Sequence, residues 1–215
     1  MWLEDTKAAL DFAYKLSDAP VCWIGHSGGG LAILMYLAHY PHHQNRLAGI
    51  VTLASQATDA GLIWNHRIFL QAARFILRVV RVAPGKVTGL GPENEQAHVL
   101  DQWIRWNISK QWLSGSGFDY LTRMADIRIP ILGIAGVADK FIAPLSGCKK
   151  LYGSLGSEDK MFLLAGTEFG FLEDYTHARL ISSHNASTDI WPLIGKWLTL
   201  ADRSELSIPL NQYGR

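Results

Sequence analysis

A chain of 215 residues, 48% of them hydrophobic, is long enough for one α/β domain with an insertion and too short for two large domains. A formal net charge of +1 gives no electrostatic footprint for nucleic acid. The two cysteines, Cys22 in a predicted strand and Cys148 in a predicted helix, read as buried reduced thiols, which argues against a disulfide framework or a metal site.

The opening Met1-Trp2-Leu3-Glu4-Asp5 lacks the basic and apolar regions of a secretory signal, and no run of eighteen apolar residues predicts a membrane span. Eight tryptophans point to an apolar pocket, a greasy lid or an interface.

In chain order, Leu3 to Leu16 predicts an amphipathic helix, with Leu3, Ala9, Leu10, Phe12, Ala13 and Leu16 at near-helical spacing. Pro20-Val21-Cys22-Trp23-Ile24 reads as a buried strand, and Leu31 to Ala38 as a helix that stops near Pro41. Leu47 to Ala54 is an almost unbroken apolar run of the kind buried on both faces of a parallel sheet. Two similar strands follow much later, Ile129 to Gly136 and Met161 to Ala165, with a helix opened by Pro144 between them. Ile190 to Leu198 closes the chain as an amphipathic helix. This alternation predicts an α/β fold, a mostly parallel sheet with flanking helices, built from 1–55 and 127–215.

Residues 56–126 interrupt the alternation and are expected to form a helical cap or lid insertion. Ile63 to Val82 predicts an apolar helix with Arg67, Arg74, Arg78 and Arg81 on one narrow stripe, and Glu93 to Leu113 a second helix with Val99, Trp103 and Trp106 on one face. Such a stripe reads first as a solvated face. The other reading is a lid helix resting on a pocket or lipid surface.

Chemistry concentrates at Gly25-His26-Ser27-Gly28-Gly29, a G-x-S-x-G pattern. The pentapeptide alone is weak, but a preceding strand and a following helix make it strong. A serine at so sharp a corner has its hydroxyl pushed into the open, and the helix aims unpaired N–H groups at the same spot. A serine nucleophile needs a base, and the base needs an acid to hold its tautomer. The strand–turn–helix motif resembles the nucleophile elbow of α/β hydrolases, and that resemblance implies the chain order Ser, then Asp or Glu, then His. Asp139 follows an apolar strand at its C-terminal end, whereas Asp126 and Asp159 precede strands. Both His177 and His184 come late enough to be the base, and residue chemistry alone prefers neither. His39, His42, His43 and His66 lie too early.

On these residues the chain resembles the α/β-hydrolase superfamily, in particular its bacterial lipase- and esterase-like members with a helical cap. Asp174-Tyr175-Thr176-His177-Ala178-Arg179-Leu180, followed by Ile190-Trp191-Pro192-Leu193-Ile194 and Trp197-Leu198, is similar to the family's catalytic-histidine loop and closing helix. That resemblance places the base at His177 and leaves His184 in a loop. Leu90-Gly91-Pro92-Glu93-Asn94-Glu95 and Trp103-Ile104-Arg105-Trp106 are similar to cap segments. The function implied is ester cleavage by a serine hydrolase, with a hydrophobic acyl or alcohol group, catalytic Ser27, Asp139 and His177, an oxyanion hole that includes the Gly28 N–H, and no cofactor or metal.

One departure accompanies the resemblance. Family members carry several strands and a helix before the elbow, where this chain has one predicted helix. The expectation is an N-terminally incomplete fold with an open strand edge prone to self-association, lacking one oxyanion donor whose loss costs on the order of a hundred- to a thousandfold in turnover. The alternative function is therefore an impaired fragment or a non-catalytic interaction module. The expected partner is a small-molecule ester, with weak lipid-surface contact through the cap and a cytoplasmic location.

Overall fold

The computed structural model describes residues 2–60, 63–79, 82–83 and 95–200. The chain forms two compact units, one made of Met1–Gln56 with Tyr120–Arg215 and the other of Ala57–Asp119.

The first unit is built on four parallel strands, β1 (Val21–His26), β2 (Leu47–Leu53), β3 (Ile131–Gly136) and β4 (Lys160–Ala165), adjacent in that order. Register is set in the interior, where Ile50 to Leu53 of β2 pair with Ile131 to Ile134 of β3. Every residue of β3 and all but one of β2 are buried, the signature of a strand covered on both faces. Full burial of Ile50, Val51, Leu132 and Ile134 stabilises the sheet by about 1.5–3 kcal/mol per side chain.

Helices α1 (Trp2–Ser17) and α2 (Gly28–His39) pack together near β1, and in α2 every residue from Gly30 to Ala38 is buried. A helix apolar all round must be an interior element. The predicted face of α1 is only partly used. Leu10 is buried, but Phe12 and Leu16 are exposed. β1 differs in the same way. As an edge strand among the described residues it leaves Cys22 and Ile24 exposed, where the sequence predicted a buried strand and a buried thiol. Cys148 is buried.

In the second unit α3 (Trp64–Leu77) packs against α4 (Ala97–Ser109), and a two-residue antiparallel ladder joins 82–83 to 95–96. Both helices are shorter than predicted. Val82 belongs to the ladder rather than to α3, and Lys110, at φ 57°, ends α4 in a left-handed turn ahead of Leu113. Of the predicted features, residues 90–94 of the first cap segment and Arg81 of the arginine stripe lie outside the described residues.

After β3 come α5 (Leu145–Ser154), β4, and α6 (Ile190–Thr199), whose Trp197 is fully buried in the main core with Leu180 and Ile194. No helix among the described residues is long and apolar enough to cross a membrane.

Candidate active site

β1 delivers Ser27 to the corner where α2 begins. Ser27 has φ 52° and ψ −118°, a conformation that costs a non-glycine residue about 1–3 kcal/mol and persists only when its surroundings enforce it. Here they do. The Ser27 N–H donates to the Leu53 carbonyl at 2.7 Å, and its own carbonyl accepts from Ser55 Oγ at 2.9 Å and from the Gly30 N–H at 3.2 Å. The close approach falls on Gly25 and Gly30. A Cβ on Gly25 would overlap the backbone of Gly29 and Gly30, and one on Gly30 would overlap Ser55 Oγ, whereas Gly29 faces open space. Gly28 is the first residue of α2, so its amide is among those left unpaired by helix geometry. An added Cβ on it would lie 3.0 Å from Cη2 of Trp2, so an indole borders the elbow.

Asp139 lies in the turn after β3, 5% exposed, and both of its oxygens are occupied. Oδ1 accepts from the backbone N–H of Ile142 at 3.1 Å and of Ala143 at 3.0 Å, and Oδ2 accepts from His177 Nδ1 at 2.6 Å. His177 is 8% exposed. A donating Nδ1 leaves Nε2 as the basic nitrogen, the tautomer a general base needs.

The loop carrying His177 is tied down residue by residue. Asp174 accepts from the Thr167 N–H at 2.8 Å and hydroxyl at 2.9 Å, which holds its carboxyl below the usual range. Tyr175 is fully buried and donates to Asp189 at 2.6 Å, and burial together with that carboxylate raises its phenol. The Ala138 N–H donates to the Tyr175 carbonyl at 3.0 Å, so the acid loop and the histidine loop are hydrogen-bonded to each other. Arg179 grips Glu173 with two bonds of 2.7 Å.

His26 links this pair to the elbow. Its Nε2–H donates to the His177 carbonyl at 2.9 Å, and the two rings lie 4.6 Å apart. Asp139 and His177 are thus bonded directly, and His26, the chain neighbour of Ser27, is bonded to His177. The Ser27 hydroxyl makes no hydrogen bond among the described residues, and such links commonly tighten only once substrate is bound. His184 is exposed on a turn and His42 is exposed in the short 3-10 helix Pro41–Arg46, while His43 bonds the Tyr36 hydroxyl away from the elbow. Sequence reasoning missed Ser55, His26 and Trp2. Their signal is tertiary, apart from the position of His26 inside the motif. Among the described residues no group of three His, Cys, Asp or Glu side chains is placed to hold a metal ion.

Burial, followed by the nearby His177, pushes the His26 imidazole down from 6.5 to about 4. Between those pH values the unfolded chain binds a proton at this site that the folded chain does not, so folding stability drops as pH falls from 6.5 to about 4. The loss reaches about 3 kcal/mol at the acid end. His26→Gln keeps a donor for the His177 carbonyl and should flatten this part of the stability–pH curve in urea titrations. An unchanged slope would assign the acid sensitivity to other groups.

A family model described as serine aminopeptidase, S33, matches residues 1–166. Solved structures match over most of the chain. A monoacylglycerol lipase from Paleococcus ferrophilus shares 15% identity at a TM-score of 0.60, covering 91% of this chain and 74% of that one. The lipolytic enzymes LipS and LipT, of metagenomic origin, supply a second match at 19% identity and a TM-score of 0.58, with coverage of 90% and 71%. The esterase domain of a Rhodothermus marinus protein is 18% identical at a TM-score of 0.55, covering 95% and 70%. At such identities the likeness is one of fold. No curated protein matches the chain.

Proposed function

Because this chain belongs to the serine aminopeptidase S33 family of α/β hydrolases, we propose that it cleaves carboxylic esters through an acyl-enzyme on Ser27. His177 Nε2 takes the serine proton and later returns it to the leaving alcohol. Asp139 holds the tautomer and stabilises the imidazolium, and the Gly28 N–H helps hold the oxyanion. Water, activated by the same histidine, then releases the acid.

The observation that carries this reading is the buried Asp139–His177 bond at 2.6 Å, joined through His26 to a serine held at φ 52°. A buried, fully bonded carboxylate behind an imidazole has no packing rationale that an apolar pair would not serve better. In this reading residues 56–126 are the cap insertion, and the Trp2 indole beside Gly28 favours an apolar acyl or alcohol group.

A fluorophosphonate probe tests the proposal. Labelling should map to Ser27 and weaken in His177→Ala, and p-nitrophenyl esters should turn over with a preference for longer acyl chains. A folded sample that takes up no label would favour the non-catalytic module instead.

The same reading includes self-association. β1 presents an edge with Ile24 exposed, and α1 adds exposed Phe12 and Leu16. An apolar edge strand of this kind pairs with other chains. Light scattering should show mass rising with concentration, and Ile24→Lys should suppress it. A mass equally monomeric in both proteins would remove this part of the reading.

A further inference from the structure

The exposed side of α3 is the most apolar solvent-facing feature among the described residues. Trp64, Ile68 and Phe75, with Val79 in the following turn, are 73%, 53%, 69% and 80% exposed. Their spacing puts them on one stripe, and Ile76, 58% exposed, widens it. Packing within the unit does not account for this stripe. Leu70 is the residue of α3 that is buried, on the opposite side of the helix. Scattered exposed apolar residues are ordinary, but a continuous run along a helix four turns long is the pattern that marks interaction surfaces.

Charge decides what binds there. The helix reads Trp-Asn-His-Arg-Ile-Phe-Leu-Gln-Ala-Ala-Arg-Phe-Ile-Leu and carries no acidic residue. Arg74 is paired with Asp101 on α4 at 2.8 Å. Arg67 and Arg78 flank the apolar stripe on one side, exposed and without an acidic partner among the described residues. An apolar strip edged by unpaired guanidinium groups, with a tryptophan at one end, matches a headgroup–acyl boundary with anionic phosphates above it. A second copy docked about a two-fold axis would bring two cationic edges together with no acid on either helix.

We propose that α3 is an interfacial helix that lies on an anionic lipid surface. Trp64, Ile68, Phe75 and Val79 enter the acyl boundary, and Arg67 and Arg78 sit at the level of the phosphates. The proposal concerns binding and stands whether or not Ser27 is catalytic.

Flotation of the full chain tests it, using vesicles of phosphatidylcholine and vesicles in which part of that lipid is replaced by phosphatidylglycerol. The chain should float with the anionic vesicles, less at raised salt. Phe75→Ser and Trp64→Ser should each weaken binding by about tenfold or more. Arg67→Glu combined with Arg78→Glu should abolish the preference for anionic vesicles. All four side chains are exposed, so thermal unfolding should be unchanged and lost binding cannot be traced to lost fold. Three results would each overturn the proposal: no flotation with either vesicle, equal binding of both by the unaltered chain, or a dimer abolished by Phe75→Ser while flotation persists.

Discussion

Ser27→Ala is expected to lower ester hydrolysis by about ten-thousandfold or more while changing folding stability by less than about 0.5 kcal/mol. The two halves of that expectation rest on different atoms. In the proposed reaction activity requires Oγ, which makes no hydrogen bond among the described residues, so its removal orphans no partner. Stability at this corner depends on the backbone, through Leu53, Ser55 and Gly30, and alanine preserves all three bonds. Alanine also preserves the φ of 52° and its cost. Ser27→Gly should therefore be equally inactive yet gain about 0.5–1 kcal/mol, since glycine adopts that conformation freely. Denaturant titrations of the three proteins, alongside turnover, check both halves. An alanine variant that retains substantial turnover would remove Ser27 from the chemistry, and a destabilised one would show that its hydroxyl has a structural role.

Asp139→Asn is expected to reduce kcat by about ten-thousandfold with KM little altered. The asparagine oxygen can still accept from Ile142 and Ala143, but its NH₂ then faces His177 Nδ1. That contact selects the tautomer with the proton on Nε2, the nitrogen that acts as the base in the proposed reaction. Asp139→Ala is different in kind. It strands two backbone donors and the His177 ring N–H in a buried turn, each costing about 1–3 kcal/mol. The asparagine variant should thus melt close to the parent while the alanine variant loses several kcal/mol. Comparable activity in parent and Asn variant would separate this carboxylate from catalysis and leave it a turn-capping residue.

Much of this architecture can be read from local patterning. The runs at Leu47 to Ala54 and Ile129 to Gly136 are apolar without alternation, and a strand of that composition is stable only between two helical layers. Both are interior strands of the parallel sheet. Spacing predicted α2, α5 and α6 for a similar reason, because helical periodicity and proline positions are properties of the chain itself. The two helices of the second unit were predicted too long. Lys110 ends α4 by turning left-handed, a conformation lysine rarely adopts and its sequence neighbourhood does not announce. The exposure of Cys22 and Ile24 likewise depends on which strands pair, and an apolar run says nothing of its place in the pairing order.

Chemical identity at the elbow and the acid turn lies in the amino-acid sequence. A serine between close-packing glycines, and an aspartate just past an apolar strand, are local facts about residue type and order. Residue type and chain order suit His177 and His184 equally, and only the resemblance of its loop to the family's points to His177, the histidine that tertiary packing brings to that aspartate. The bonds of Tyr175 to Asp189 and of Asp174 to Thr167 turn one ring inward, while the other is left in solvent. The same holds for His26, Ser55 and Trp2, whose partners are remote in the chain. Contacts of that kind become favourable only after the sheet has brought the loops together, and no window of neighbouring residues encodes them.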